Sequence, residues 1–325
     1  MAKLNSALGP LDTADMGFTL THEHISGSSA GFQLTYPEIV NTETVLELAV
    51  QDLTRAHQHG VTTIIDCSTY DIGRDVRLIE AVSRRSGIQV VCATGSHLYV
   101  PQTFYESMFP WMKPMPVDDV AALWIREVEE GIEGTGIKAG VIKIATNDPI
   151  RPAEEHMLRA GARTHLRTGV PITTHTPILS RVGEEQVRIL LEEGVDMSHV
   201  YIGHVNSTLD RDYHLRLIDK GVWLGMDHFS PSGPPGTPDW EERSAFIKGL
   251  IDEGYQDRIM MSHDWNFGRH SGHCQLASAV SRDDHPDAFL WITNGVLPRL
   301  RELGADESAI TSMMVDNPRR FFGGN

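Results

Sequence analysis

The sequence predicts a single (β/α)8 barrel over residues 1–325, and three observations carry that prediction. An amphipathic helical stretch that ends at a glycine and runs at once into a short β-branched segment recurs along the chain. The order is β then α throughout, and no linker or low-complexity stretch divides the 325 residues. The chain also lacks the Gly-rich phosphate loop or switch-point motif that an open doubly wound sheet would need.

The elements follow in order. FTLTHEH near the start is the first strand, and GVIKIAT at 140–146 is the fourth. The other six each follow a glycine: Gly60 (GVTTIIDCST), Gly87 (GIQVVCATG), Gly169 (GVPITTHT), Gly194 (GVDMSHVYIGH), Gly221 (GVWLGMDH) and Gly254 (GYQDRIMMSHD). Glycine suits the left-handed position that terminates a helix, and the apolar run behind it reads as a strand buried on both faces. Between the first two strands, Leu46, Ala49, Leu53 and Ala56 line one helical face, and Thr44 with Glu47 offers a capping box. Longer insertions follow the third strand (99–116), the seventh (229–240) and the eighth (266 to about 288), at the barrel end where such folds carry their sites. The tail after Ala305 reads as a final helix ending before Pro318.

Charge narrows the partners. With 28 basic and 44 acidic residues the net charge is −16, which argues against nucleic acid, an anionic membrane or a highly anionic substrate and leaves a small neutral or cationic substrate as the expectation, with neutral favoured. Cys67, Cys92 and Cys274 have no CxxC spacing and form no disulfide framework. The opening segment carries Asp12 and Asp15 in place of an apolar signal core, and no later stretch is long enough to span a bilayer, so a cytoplasmic location is expected.

The strand ends carry the chemistry. Strand 1 ends in His22-Glu23-His24, strand 4 carries Lys143, strand 5 ends at His175, strand 6 at His204, strand 7 at Asp227-His228 and strand 8 at His263-Asp264. Side chains alternate along a strand, so His22 and His24 share a face and Glu23 points away; of His263 and Asp264 one alone can face the lumen. Four imidazoles and a carboxylate suit zinc first, with cobalt, manganese or iron as alternatives, rather than magnesium or calcium. Five such groups are too many for one catalytic ion with an open position, which points to two divalent ions. An ammonium on Lys143 beside two cations would be repelled by both, so this lysine must be neutral or chemically altered. His57, His59, His156, His165, His199, His214 and His285 lie outside the pattern and read as surface or structural. Cys67 and Cys92 read as inert core residues, and Asp66 as a hydrogen-bonding group inside the barrel.

The segments FTLTHEHISGSSAGF (18–32), STYDIGRDV (68–76), ATG (93–95), GIKAGVIKIAT (136–146), GVPITTHT (169–176), IGH (202–204), GMDH (225–228) and SHDWNFG (262–268) resemble the phosphotriesterase family of the amidohydrolase superfamily, in the family's order. The resemblance implies that Lys143 is carbamylated by CO2 and bridges the metals. His22, His24 and Asp264 would hold the more buried ion and His175 and His204 the more exposed one, while His263 would be structural. It implies hydrolysis by a metal-bridging hydroxide, with Asp264 taking the proton and passing it toward His228, and it implies a homodimer. Four positions depart from the family pattern: His97 and Leu98 stand where aromatics follow ATG, Ser207 replaces a relay carboxylate, and Pro231 replaces a pocket histidine. His97, Tyr99 and Trp265 are the candidate substrate-binding residues, and Phe104, Phe109 and Trp111 are candidates for a pocket wall or a dimer interface. The expected activity is hydrolysis of lactones and aryl esters with organophosphate triesterase activity beside it. The alternatives are triesters as the main substrates, a cyclic amide in place of the ester, or a barrel that binds metal without turnover.

Overall fold

The computed structural model describes residues 2–38, 40–107, 111–230, 236–267, 282 and 285–324. Phe109, Pro231 and Cys274 lie outside them. An antiparallel hairpin, β1 (Lys3–Ser6) and β2 (Gly9–Asp12), comes first. The next eight strands are β3 (Phe18–Glu23), β4 (Val61–Asp66), β5 (Gln89–Ser96), β6 (Val141–Ala145), β7 (Ile172–His175), β8 (Val200–Ile202), β9 (Trp223–Met226) and β10 (Ile259–Met261). Each lies parallel to its neighbour in sequence. The seam between β10 and β3 closes at the mouth: Asp264 N donates to His22 O at 3.1 Å, His24 N to Trp265 O at 2.9 Å and Phe267 N to His24 O at 2.7 Å.

Helices Thr42–Gln58, Val76–Ser86, Val117–Glu129, Pro152–Thr168, Gly183–Glu192, Arg211–Asp219 and Trp240–Asp252 fill the gaps between strands. Gly60, Gly87, Gly169, Gly194, Gly221 and Gly254, ahead of six of the strands, have φ between 74° and 98°, the left-handed backbone that glycine alone adopts without strain. The first of these helices begins earlier than its Thr44–Glu47 signal suggested, because Asn41 Oδ1 accepts from Thr44 N at 3.1 Å and caps it.

Strand alternation sorts side chains into two cores. Ile64, Val90 and Ile142 pack outward against helices, whereas Ile65, Val91 and Val141 point into the barrel. Two residues past Val141, Lys143 falls on the same inner face. The hairpin's Leu4 and Leu11 join Phe321 and Phe322 of the last helix, Asn317–Gly323, in this inner cluster and plug the barrel floor. The tail continues through Pro318, contrary to the expected stop, because the widened π turn at Ser312–Asp316 feeds it and Pro318 sits in the first turn, where no N–H is needed. No helix of the described residues is long and apolar enough to cross a membrane.

Candidate metal centre

Strand β3 delivers two histidines to the lumen through an irregularity. Its pairing with β4 shifts register between Leu20 and Glu23. Leu20 packs outward, Thr21 reaches Tyr201 inside the barrel at 3.3 Å, and His22 follows it inward. A bulge of this kind re-aims side chains beside a site. Glu23 then points away, as expected: it accepts from Ser262 Oγ at 2.6 Å, His263 Nδ1 at 2.6 Å, and the backbone N–H groups of His263 and Trp265 at 2.9 Å each. His263 Nε2 accepts from Ile292 N at 2.9 Å, so that ring is committed outside the lumen. Asp264 turns inward with φ 57°, and His204 enters the mouth with φ 64°. Such backbone costs a non-glycine residue of order 1 kcal/mol and collects at functional sites.

The facing groups converge. Ligand atoms of His22, His24 and Asp264 all lie within 4.8 Å of one another, as do those of His204, His228 and Asp264. Asp264 Oδ1 is 3.2 Å from His24 Nε2 and 3.8 Å from His22 Nε2, and its Oδ2 is 3.9 Å from His204 Nε2. Lys143 Nζ stands 2.5 Å from His22 Nε2. The His175 ring meets the His204 ring edge-on at 4.6 Å, and Gln186 ties down its carbonyl at 2.8 Å. His175 joins the same wall without entering either tight group.

A second layer holds the imidazoles by their other nitrogens. His24 Nδ1 is 3.0 Å from Ser68 Oγ, and His204 Nδ1 is 2.9 Å from Asp227 Oδ1. His22 Nδ1 lies 2.9 Å from Asp227 Oδ2 in an oblique contact. His228 Nδ1 is 2.7 Å from Ser207 Oγ. Asp66 ties Ile25 N and Ser68 N beneath them at 2.7 and 2.8 Å. The GMDH segment places Asp227 beside His228 but carries no mark of its partners, the His22 and His204 imidazoles of other strands.

Burial sets the charge states. It pushes His22 down to about 4 and His204 and His97 down to about 3, in each case against the pull of nearby carboxylates, and it holds His175 well below the usual imidazole value. Lys143 is lowered by burial. For Asp264, burial works upward but is outweighed by the His204, His228 and His24 imidazoles beside it, which hold the carboxyl well below its usual range.

Above these groups opens a cavity of about 260 Å³. His97, Tyr99, Ile72 and Asn266 complete its wall. The buried carboxylate of Asp71, unmarked by the sequence, positions two of them, accepting from His97 N at 3.0 Å and Tyr99 N at 3.1 Å. Trp265, 5% exposed, packs in the outer core against the His285 ring, and its neighbour Asn266 lines the cavity. The parallel bridge of Asn266 to His24 carries the chain alongside the end of β3 one residue after Trp265.

The phosphotriesterase family profile matches residues 2–322. The chain belongs to the phosphotriesterase family. A phosphotriesterase homology protein of Mycobacterium tuberculosis is 36% identical over 99% of this chain and 98% of its own. An aryldialkylphosphatase of Saccharolobus solfataricus is 34% identical over 96% of each. The solved structure of the phosphotriesterase from Mycobacterium tuberculosis superposes with a TM-score of 0.87 at 35% identity, over 99% of this chain and 100% of that one. As a phosphotriesterase-family member this chain is a hydrolase on a TIM barrel. Its donor set also fits a metal pair. Carboxylate or hydroxyl partners on the Nδ1 atoms of His22, His24 and His204 leave Nε2 free to face the gap, the arrangement that metal-binding imidazoles require.

Proposed function

We propose that this chain hydrolyses lactones and aryl esters, with organophosphate triesterase activity beside it, at a centre for two divalent transition-metal ions, zinc first among them. The observation that carries the reading is the convergence of His22, His24 and Asp264 within 4.8 Å, with Lys143 Nζ 2.5 Å from His22 Nε2, at the floor of an open cavity. His22, His24 and Asp264 would hold the inner ion, and His175 and His204 the outer one. When bound, such a pair polarises the substrate's C=O or P=O and makes water nucleophilic at neutral pH.

Lys143 is the proposed bridge. Its amine is buried, and among the described residues it forms no ion pair with a carboxylate. A neutral amine is the form that adds CO2; as the N–C bond forms the nitrogen gives up one proton to solvent, and the resulting carbamate would offer two oxygens sharing one negative charge to the two cations. Asp264 is the proposed first proton acceptor, and His228 Nε2, 3.1 Å from its Oδ2, is the next.

Substrate class follows from the wall. His97 and Tyr99 offer hydrogen-bonding and stacking groups, and a cavity of about 260 Å³ suits a compact neutral ester. Tyr36, Leu34 and Trp111, exposed at 45%, 85% and 79% on the loops after β3 and β5, support a homodimer through that rim. The buried free thiols of Cys67 and Cys92 suit a reducing compartment, and the cytoplasm is the proposed location. The test is kcat/KM over matched lactones, aryl esters and phosphotriesters. Esters or lactones should lead; a triester ahead of all of them by tenfold, about 1.4 kcal/mol of transition-state stabilisation, would reverse the ranking.

A further inference from the structure

We propose that Asp227 is a positioning residue shared by both halves of the metal centre, one carboxylate that fixes the Nδ1–H tautomer of His22 and of His204 together. The inference rests on the metal-centre reading above. Asp227 is fully buried where the ends of β3, β8 and β9 meet. Its Oδ1 accepts from His204 Nδ1 at 2.9 Å and from His204 N at 2.6 Å. Its Oδ2 accepts from Tyr201 OH at 2.8 Å and faces His22 Nδ1 at 2.9 Å. The two rings lie 4.7 Å apart with the carboxylate against both. Gly203 makes room for this arrangement: a Cβ there would meet Thr174 O at 2.3 Å, Asp227 Oδ2 at 3.2 Å and His22 Cε1 at 3.4 Å.

The chemistry is one of proton placement. A carboxylate only accepts, so an imidazole nitrogen facing it must carry the proton, and the other nitrogen of a neutral ring is then bare. His22 and His204 are proposed ligands of different ions, so Asp227 prepares one ligand for each. The partners of its two oxygens differ, however. His204 presents a backbone N–H as well as its ring, and a backbone N–H cannot reverse; Tyr201 OH can rotate to accept.

That asymmetry predicts the behaviour of Asp227→Asn. The single amide oxygen must stay with His204, which places the amide NH2 against Tyr201 and His22. Facing a donor, His22 Nδ1 must become bare, and the ring proton moves to Nε2, where it blocks coordination. The half of the centre that contains His22 should fail while the half that contains His204 persists.

The experiment uses the full chain in metal-free and zinc-loaded forms. Nitrogen-15 spectra of histidine-labelled, metal-free protein report the tautomers, with His22 and His204 assigned by single replacement. Zinc per chain is measured after dialysis. Wild type should show Nδ1–H on both rings and bind two zinc ions. Asp227→Asn should keep the His204 tautomer, switch His22 to Nε2–H, and hold one ion tightly with the second weakened at least tenfold. Wild-type metal-free protein carrying Nε2–H on His22 or His204 overturns the inference without any variant. So does Asp227→Asn that binds two ions at wild-type affinity, or that loses both with tautomers unchanged. Wild type that binds no zinc overturns the metal-centre reading instead, while the metal-free tautomers still decide the role of Asp227.

Discussion

Asp264 Oδ2 lies 3.1 Å from His228 Nε2, and the other nitrogen of that ring lies 2.7 Å from Ser207 Oγ. The His228 ring also stacks on His204 at 4.0 Å and 12°, which fixes its plane. A carboxylate that takes a proton at the reacting centre can therefore hand it to a held imidazole. The hydroxyl of Ser207 can orient that imidazole but cannot retain the proton, so His228 is the last basic group of the chain. Replacing His228 by Ala should lower kcat by about a hundredfold for esters with poor leaving groups and far less for nitrophenyl-type leaving groups. A leaving-group series checks this; equal losses across it would assign His228 to positioning.

Lys143→Ala should lose metal and at least about a hundredfold in activity, because the bridge between the ions disappears. Added acetate or propionate should restore part of both. Normal metal content and rate in the variant would remove the bridging role.

Glu23 gathers Ser262, His263 and Trp265 through hydrogen bonds of 2.6 to 2.9 Å and so sets the backbone that turns Asp264 inward. Glu23→Ala leaves several buried donors unsatisfied and should cost about 3 kcal/mol or more in unfolding free energy. Denaturant melts measure the loss; a change within 0.5 kcal/mol, the range of about neutral surface substitutions, contradicts it.

Metal-free protein should lose stability as pH falls from about 6.5 toward 3. The buried rings of His22, His97 and His204 titrate near 4, 3 and 3 when folded, against 6.5 as ordinary imidazoles, so below 6.5 the unfolded chain binds protons the folded chain refuses. Above 6.5 these groups contribute no slope. Asp264 and Asp227, held low when folded, extend the loss below the ordinary carboxylate value of 3.8. For Asp227 burial acts upward, and the His204 and His22 contacts outweigh it. Unfolding free energy measured between pH 8 and 4 checks the sign; a flat or rising profile toward acid contradicts it.

The barrel strands were legible because their signals are local. A glycine that must adopt left-handed backbone and a β-branched run behind it need no distant partner to be recognised, and the ligand-bearing strand ends followed from counting them. The β1–β2 hairpin was not legible: its stability comes from distant groups, such as Asn5 Nδ2 donating to Ala139 O at 2.9 Å and Ala7 N to Val90 O at 2.7 Å. Alternation placed His22 and His24 together and Glu23 apart, yet the bulge that puts Thr21 inside with them carries no sequence mark. Spacing likewise put Asp227 at the end of strand 7 without saying which imidazoles it holds, and nothing local marked Asp71, since the partners of both lie on other strands and loops.

The proposed hydrolysis requires two ions working together in one cavity. The most direct measurement is hydrolytic rate against equivalents of zinc added back to metal-free protein, with bound metal determined at each point. The rate should be negligible without metal and should rise until it levels off at two bound ions per chain. Full activity in metal-free protein, or a plateau at a single ion, would contradict that requirement.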